Sequence, residues 1–327
     1  MNSISPRSGV SEHTEAVHMM IRGILMVRPL LQLGEASARC TPGSWKPSLR
    51  PSPGSVVDAQ QAALRCRGED YGEILLSLKM RNSNMQNYTT MPTVVLVHGA
   101  FTDGSSWKAV TESLQAAGCR VVVPANPLRG LASDSAYVAG ILAAIDGPIV
   151  LAGHSYGGEV ITNVAASNPQ VKALVYIAAI MLEKGESAND ILGAFPGSQL
   201  PDVLEQITYP LSIGGESTDL YVRPERFPEV FAADVSKPEA VAMAAAQRPI
   251  DASALGAASE NAAWHSLPSW YLVSRNDRVI PPAAQRYMAE RAHARLTEVD
   301  SSHALMVSQP AMVAQVIEDA VRSVATG

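Results

Sequence analysis

From Thr93 onward, short and nearly continuous apolar runs alternate with segments whose apolar residues have helical spacing. Strands that are apolar throughout are typical of parallel sheets, whose two faces are both covered by helices. The strand-like runs are TVVLVHG, CRVVVPA, GPIVLAGH, VKALVYIAA, SWYLVS and ARLTEVD. Helical spacing is clearest at Trp107, Val110 and Leu114 and at Val313, Val316, Ile317, Val321 and Val324. The pattern predicts an α/β fold, with a mostly parallel sheet and helices on both faces, over residues 91–327.

The alternation stops between Glu183 and Ser266. The stretches GAFPGSQLPDVLEQITYPLSIGG, RPERFPEVFAADV and PEAVAMAAAQRP are typical of short helices separated by prolines. Long loops without secondary structure are uncommon in compact domains. This segment, about 183–266, is therefore predicted to be a helical lid inserted over the ends of the strands.

Residues 1–90 differ in character from the rest of the chain. Prolines and serines cluster at TPGSWKPSLRPSPGS, and no sustained helical or alternating pattern is present. Such a segment offers little apolar surface to offset the entropy of ordering, so we expect it to be disordered or loosely attached. Met85 and Met91 stand just before the first strand. A hypothesis follows that translation starts there and that the upstream residues are a non-native extension.

Composition excludes several classes of partner. The formal net charge of −6 is the opposite of what a nucleic-acid-binding surface needs. The best apolar run, ALVYIAAIML, is much shorter than the roughly 20 residues of a membrane span. The three cysteines form neither a paired framework nor a CxxC motif, which favours a reducing compartment. We therefore expect a cytoplasmic protein without nucleic-acid or membrane partners; a homodimer stays open.

The stretch VLAGHSYGGEV carries the first sign of chemistry. Gly153, Ser155 and Gly157 match the G-x-S-x-G pattern of a nucleophile elbow, in which a sharp strand-to-helix turn exposes a serine hydroxyl. That hydroxyl is a weak nucleophile unless a base lies within hydrogen-bond reach and a third group orients the base. Ser155 follows the predicted strand PIVLA, and open α/β sheets bind ligands at the carboxyl ends of their strands. Ser155 is therefore the candidate nucleophile.

Two later strands are followed by the residue types that such a serine needs. Asp277 follows SWYLVS, and His303 follows ARLTEVD. The chain order Ser, Asp, His is that of the α/β-hydrolase arrangement. Asp300 is a competing acid, but it is too near the end of its own strand to reach the far side of the imidazole, which favours Asp277. The spacing of histidines and cysteines fits no zinc motif, so no metal is expected.

Acyl transfer also needs donors for the negative charge that develops on the carbonyl oxygen. The Tyr156 N–H, directly after the candidate nucleophile, is the first predicted donor. The second is predicted in VLVHGAFTDGSSW, after the first strand, where we choose Ala100 over Phe101.

From Pro92 to the C-terminus the sequence resembles one group of α/β-hydrolases. The group contains plant salicylate-binding methylesterases, hydroxynitrile lyases and many small bacterial serine hydrolases. The matching pieces are VLVHGAFTDGSSW, GHSYGG, NDRVIPP and SSHALMVSQP, which span the predicted domain. The resemblance implies Ser155 as nucleophile, His303 as base, Asp277 as the acid that orients it, Ala100 and Tyr156 as oxyanion donors, and no cofactor.

Where this sequence differs from motifs of related enzymes, the differences argue against several other activities of the fold. Hydroxynitrile lyases of this fold carry a threonine after the histidine of the first loop and a lysine after the catalytic histidine. This sequence has Gly99 and Ala304 at those positions, which argues against a lyase. Dehalogenases and epoxide hydrolases of the fold use an aspartate nucleophile, and Ser155 argues against both.

The expected activity is that of a serine esterase that cleaves a small carboxylic ester through an acyl-enzyme. Ester, thioester, lactone and amide substrates are not separated by the sequence. Two alternatives stay open: a cofactor-free perhydrolase or haloperoxidase-like enzyme, in which peroxide replaces water, and a non-catalytic ligand receptor on the same fold. The apolar residues that either line a substrate pocket or pack the lid onto the core are Phe101, Leu192, Phe195, Phe227, Phe231 and Met243.

Overall fold

The fold is given by a computed structural model that describes residues 91–326. The predictions for residues 1–90 lie outside the described residues. No helix within the described range combines the length and apolar character needed to cross a bilayer.

All six predicted strands form one parallel sheet, which confirms the predicted fold class. The strand order is β2-β1-β3-β4-β8-β9. Their bounds are β1 Thr93–Val97, β2 Arg120–Val122, β3 Ile149–His154, β4 Val171–Ile177, β8 Ser269–Ser274 and β9 Arg295–Val299. The carboxyl ends of all six strands lie at one edge of the sheet, because every pairing is parallel.

Helices cover both faces of this sheet. Successive side chains of a strand point to opposite faces, and β1 follows this rule: Val94 and Leu96 join one apolar cluster, whereas Val95 and Val97 join the other. The first cluster includes residues of α1 and α10, and the second includes residues of α2, α3 and α8. The helix bounds are α1 Lys108–Ala116, α2 Leu131–Leu142, α3 Gly157–Ala165, α8 Pro282–Arg291 and α10 Pro310–Ala325.

The segment predicted as a helical lid is not helical throughout, and this part of the prediction is wrong. It also contains a three-stranded antiparallel sheet, in the order β5-β6-β7. Its strands are β5 Leu204–Pro210, β6 Glu216–Val222 and β7 Ile250–Asp251. Its α-helices are α4 Ala188–Ala194, α5 Phe227–Val230, α6 Lys237–Ala246 and α7 Ala252–Leu255, and α9 Leu305–Ser308 follows later in the chain. Short 3₁₀ helices span Gly104–Trp107, Pro201–Val203 and Ala263–His265.

The turn of the lid hairpin explains the difference. Gly214 and Gly215 have φ angles of +88° and +84°, a region that favours glycine. The Leu211 N–H donates to the Gly215 carbonyl at 3.0 Å and closes the turn. The flanking runs QITY and STDLYV are rich in β-branched and aromatic residues. Two glycines between such runs predict a hairpin, and the prolines on either side obscured that signal.

Candidate active site

The turn from β3 into α3 places Ser155 in a strained conformation. Its φ angle is +54°, which is uncommon for a residue with a side chain. A Cβ atom on Gly153 would lie 2.5 Å from the Gly157 carbonyl oxygen, so only glycine allows this close approach of strand and helix. On Gly157, a Cβ would collide with the carbonyl oxygen of Val97 in β1. The glycines of the motif therefore permit the turn that carries the serine.

An imidazole and a carboxylate meet at the carboxyl ends of β8 and β9. His303 Nδ1 donates a hydrogen bond to Asp277 Oδ2 at 2.7 Å, and both side chains are fully buried. The N–H groups of Val279 and Ile280 donate to Asp277 Oδ1 at 2.7 and 3.0 Å. Gln285 Nε2 donates to Asp277 Oδ2 at 2.7 Å. These donors fix the carboxylate, and the carboxylate fixes the tautomer and the orientation of the imidazole.

The competing acid and the neighbouring histidines have other partners. Asp300 is exposed and accepts a hydrogen bond from Arg275 at 3.0 Å. His154 Nε2 donates to the His303 carbonyl oxygen at 2.9 Å, and the two imidazole rings lie 4.7 Å apart. His98 Nε2 accepts from the Asn126 N–H at 3.0 Å.

The remaining nitrogen of His303 is buried and free. Within residues 91–326, His303 Nε2 has no hydrogen-bond partner, so it makes no bond to Ser155 Oγ in this structure. Ser155 itself is 7% exposed. The Phe231 ring packs edge-on against the imidazole at 4.8 Å, which brings the lid onto the histidine.

The predicted oxyanion donors lie in two buried turns. The Phe101 N–H is already used, because it donates to the Arg248 carbonyl at 2.9 Å. Across the described chain, the N–H groups of Ala100 and Tyr156 donate to no protein acceptor. Both residues are buried. The two N–H groups are therefore available to a bound oxygen atom.

The six apolar candidates divide into two sets. Phe231 stacks on Phe227 at 4.7 Å and meets the Phe101 ring at 6.3 Å. Phe101 and Met243 line a cavity of about 130 Å³. In the second set, Phe195 packs on Tyr287 of α8 at 5.1 Å, and Leu192 is a partly buried residue at the margin of the core.

A larger cavity, of about 540 Å³, lies between α2, α3 and residues 257–261. None of the predicted site residues lines it. Its size alone does not make it the active site, since the buried imidazole and carboxylate lie elsewhere. Within the described residues, no group of three or more His, Cys, Asp or Glu side chains could hold a metal ion.

Two residues that hold the side chains of the site in place were not predicted from the sequence. Gln285 accepts from the Ser274 N–H at 3.0 Å while its amide nitrogen holds Asp277. Asp134, in the first turn of α2, accepts from the Tyr156 hydroxyl at 2.8 Å. Neither belongs to a motif, and each reaches the site only through the packing of its helix. No sequence signal identifies them.

Comparisons with known proteins identify the family of this chain. A sequence model described as the alpha/beta hydrolase family matches residues 94–316. A pyrethroid hydrolase from Sphingobium wenxiniae is 29% identical over 250 residues, which cover 70% of this chain and 88% of that protein. A carbendazim hydrolyzing esterase from a Nocardioides species is 33% identical over 129 residues, which cover 36% of this chain and 52% of that protein.

Solved structures share the same fold. A pyrethroid hydrolase from Sphingobium faniae superposes with a TM-score of 0.59 and 26% identity, covering 72% of this chain and 99% of that one. A methylesterase from Arabidopsis superposes with a TM-score of 0.58 and 19% identity, covering 71% of this chain and 99% of that one.

Proposed function

Because the chain belongs to the alpha/beta hydrolase family, we propose that it is a serine esterase in which Ser155 attacks a small carboxylic ester. His303 takes the serine proton through Nε2 and later delivers it to the leaving alcohol. Asp277 keeps Nδ1 protonated and stabilises the imidazolium that forms. Water then attacks the acyl-enzyme, again with His303 as base, and releases the acid.

The class of enzyme is supported by the comparisons. The relatives and solved neighbours described above are named hydrolases or esterases, which supports a carboxylic ester hydrolase. The assignment of steps to residues is our own proposal. Its main support is the buried bond of 2.7 Å between His303 and Asp277, because it leaves Nε2 as an unprotonated acceptor.

The proposed oxyanion donors are the N–H groups of Ala100 and Tyr156. Donors that are already oriented stabilise the tetrahedral intermediate without reorganisation during the reaction, and each contributes about 2.7–4 kcal/mol. The engagement of the Phe101 N–H with Arg248 supports Ala100 as the donor from the first loop.

We propose a small uncharged ester as the substrate. The cavity of about 130 Å³ beside Phe101 and Met243 is lined by none of Ser155, Asp277 and His303, so the support for this substrate comes from the aromatic side chains around His303. The side chains of Phe101, Phe227 and Phe231 form an apolar wall next to His303. One relative is named a pyrethroid hydrolase and another a carbendazim hydrolyzing esterase, which favours an ester substrate here as well.

The test is hydrolysis of p-nitrophenyl acetate and p-nitrophenyl butyrate by wild type and Ser155→Ala. Turnover should fall by about three orders of magnitude or more in the variant, because the nucleophile is lost. Ser113→Ala is the matched control: Ser113 lies in α1, and its hydroxyl binds the Ala109 carbonyl at 3.0 Å. This control should keep wild-type turnover. Equal turnover in wild type and Ser155→Ala would refute the proposal and favour a ligand receptor.

A further inference from the structure

The nucleophile turn is held from its far side by a buried hydrogen bond. Tyr156 follows the strained residue Ser155, and its ring extends towards α2 instead of into the site. The Tyr156 hydroxyl donates to Asp134 Oδ2 at 2.8 Å. Tyr156 is 2% exposed and Asp134 is fully buried, so water does not compete for this bond. The residue whose backbone N–H is the proposed oxyanion donor is thus held by its side chain as well as by the peptide chain.

Asp134 is itself fixed by the backbone that precedes α2. The Arg129 N–H donates to Asp134 Oδ1 at 3.0 Å, and the Gly130 N–H donates to Oδ2 at 3.5 Å. The carboxylate therefore has donors from two directions and cannot rotate without losing one of them. Gly130 has a φ angle of +142°, which fits a residue without a side chain at this turn.

The same backbone is tied to the lid sheet. The Arg129 guanidinium donates to Asp219 of β6 at 2.7 Å and to the Pro249 carbonyl at 2.9 Å. It also lies over the ring of Tyr209 in β5, 5.2 Å from the ring centre. One continuous set of contacts thus joins the lid sheet, Arg129, Asp134 and the residue after the proposed nucleophile.

We propose that Asp134 is a positioning residue for the oxyanion hole, and that it acts by holding the Tyr156 hydroxyl. A φ of +54° at Ser155 persists only where neighbouring contacts over-determine the turn. The Asp134 bond supplies such a contact for the peptide that carries the Tyr156 N–H. Its loss leaves the donor present but less well aligned with the developing negative charge. This inference rests on the proposed function.

Tyr156→Phe is the direct test, because it removes one hydroxyl and keeps the ring. We expect kcat for p-nitrophenyl butyrate to fall about tenfold, with KM within about twofold of wild type. That split is typical of an interaction made in the transition state. The inhibition constant of an aryl trifluoromethyl ketone, which forms a tetrahedral adduct on a serine, should rise by the same factor as kcat falls.

The matched control is Tyr176→Phe. Tyr176 in β4 is fully buried, and its hydroxyl shares a hydrogen bond of 2.8 Å with Thr162 Oγ1. This variant loses a buried tyrosine hydroxyl that bonds to neither Ser155 nor Tyr156 and reaches α3 only through Thr162, which donates to the Gly158 carbonyl. Its kcat and its inhibition constant should therefore stay close to wild type. A merely structural role of the Tyr156 hydroxyl would affect both variants alike.

A second variant tests the role of Asp134 itself. Asp134→Ala should lower kcat, and the double variant Tyr156→Phe/Asp134→Ala should be no slower than Asp134→Ala, because alanine has no acceptor for the Tyr156 hydroxyl and both changes break the same bond. Multiplicative losses in the double variant would overturn the proposal, as would wild-type kcat and inhibition in Tyr156→Phe. If wild type shows no turnover that depends on Ser155, the proposed function fails and this role fails with it.

Discussion

Replacing Glu159 with glutamine should remove a loss of folding stability that wild type suffers as pH rises. Glu159 lies in the first turn of α3, four residues after Ser155, and is fully buried. Neither of its carboxyl oxygens has a hydrogen-bond partner within residues 91–326. Burial without a partner raises the pKa of this carboxyl well above its usual value.

Two effects oppose each other at this position. The N-terminus of α3 favours a negative charge by about 0.3–1 kcal/mol, and by up to about 2 kcal/mol in partly buried geometries. Transfer of an unpaired carboxylate into the protein interior costs several kcal/mol even after relaxation. The cost of burial is larger, so the folded protein holds the Glu159 proton to a higher pH than the unfolded chain does.

The sign and size of the effect follow from proton linkage. Above the ordinary glutamate pKa of about 4.3, the unfolded chain has released a proton that the folded chain still holds. The free energy of unfolding therefore falls as pH rises, by about 1.4 kcal/mol for each pH unit, until pH reaches the raised pKa. Glutamine does not titrate and suffers no such loss.

Urea unfolding at pH 5, 6, 7 and 8 would measure this difference. At each pH below the raised pKa, Glu159→Gln should gain on wild type by about 1.4 kcal/mol for each pH unit, whatever the constant offset from burying an amide in place of an acid. Glu205→Gln is the control, because Glu205 is an exposed residue of β5. It should follow the pH dependence of wild type. Parallel curves for Glu159→Gln and wild type would refute the reasoning.

Three further changes have expected outcomes in denaturant unfolding. Gly153→Ala should cost about 3 kcal/mol, because its Cβ would lie 2.5 Å from the Gly157 carbonyl oxygen; a loss under 1 kcal/mol would contradict this. Arg291→Lys should cost about 1–2 kcal/mol, because Arg291 binds both carboxylate oxygens of Glu186, at 2.7 and 2.6 Å. Burial of Asp251 is outweighed by hydroxyl hydrogen bonds that lower its pKa to about 2, so Asp251→Asn should cost about 2 kcal/mol above pH 5, and the difference should close as pH falls towards 2. An Asp251→Asn deficit that persists at pH 2 would count against the last assignment.

The core of the fold was predictable because its signals are local. Each core strand is a short apolar run that is followed along the chain by a segment with helical spacing. Because the strands pair in parallel, their carboxyl ends lie at the same edge of the sheet. Asp277 and His303 were predicted as partners for the same reason, since each follows the end of a strand. The structure brings them within 2.7 Å because β8 and β9 are neighbours in the sheet.

The residues that hold these groups in place were not predictable in this way. Gln285 reaches Asp277 from the first turn of α8, and Asp134 reaches Tyr156 from the first turn of α2. Either contact depends on how a helix packs against the sheet, and many polar residues on those helices are equally good candidates in the sequence. The lid hairpin was missed for a different reason: prolines near its strands favoured short helices over the signal of Gly214 and Gly215.

The segment predicted as a lid also packs against the loop that carries His303. The Ala304 N–H donates to the Phe231 carbonyl at 3.1 Å, and the Phe231 ring lies against the imidazole of His303. Asp234, three residues after Phe231, accepts a hydrogen bond from the hydroxyl of Ser302, two residues before Ala304. A displacement of residues 227–235 would therefore remove contacts from both sides of His303. The position of the imidazole depends on the segment predicted as a lid as well as on Asp277, and a chain that kept the motifs but lost this segment would lack part of the support of the His303 ring.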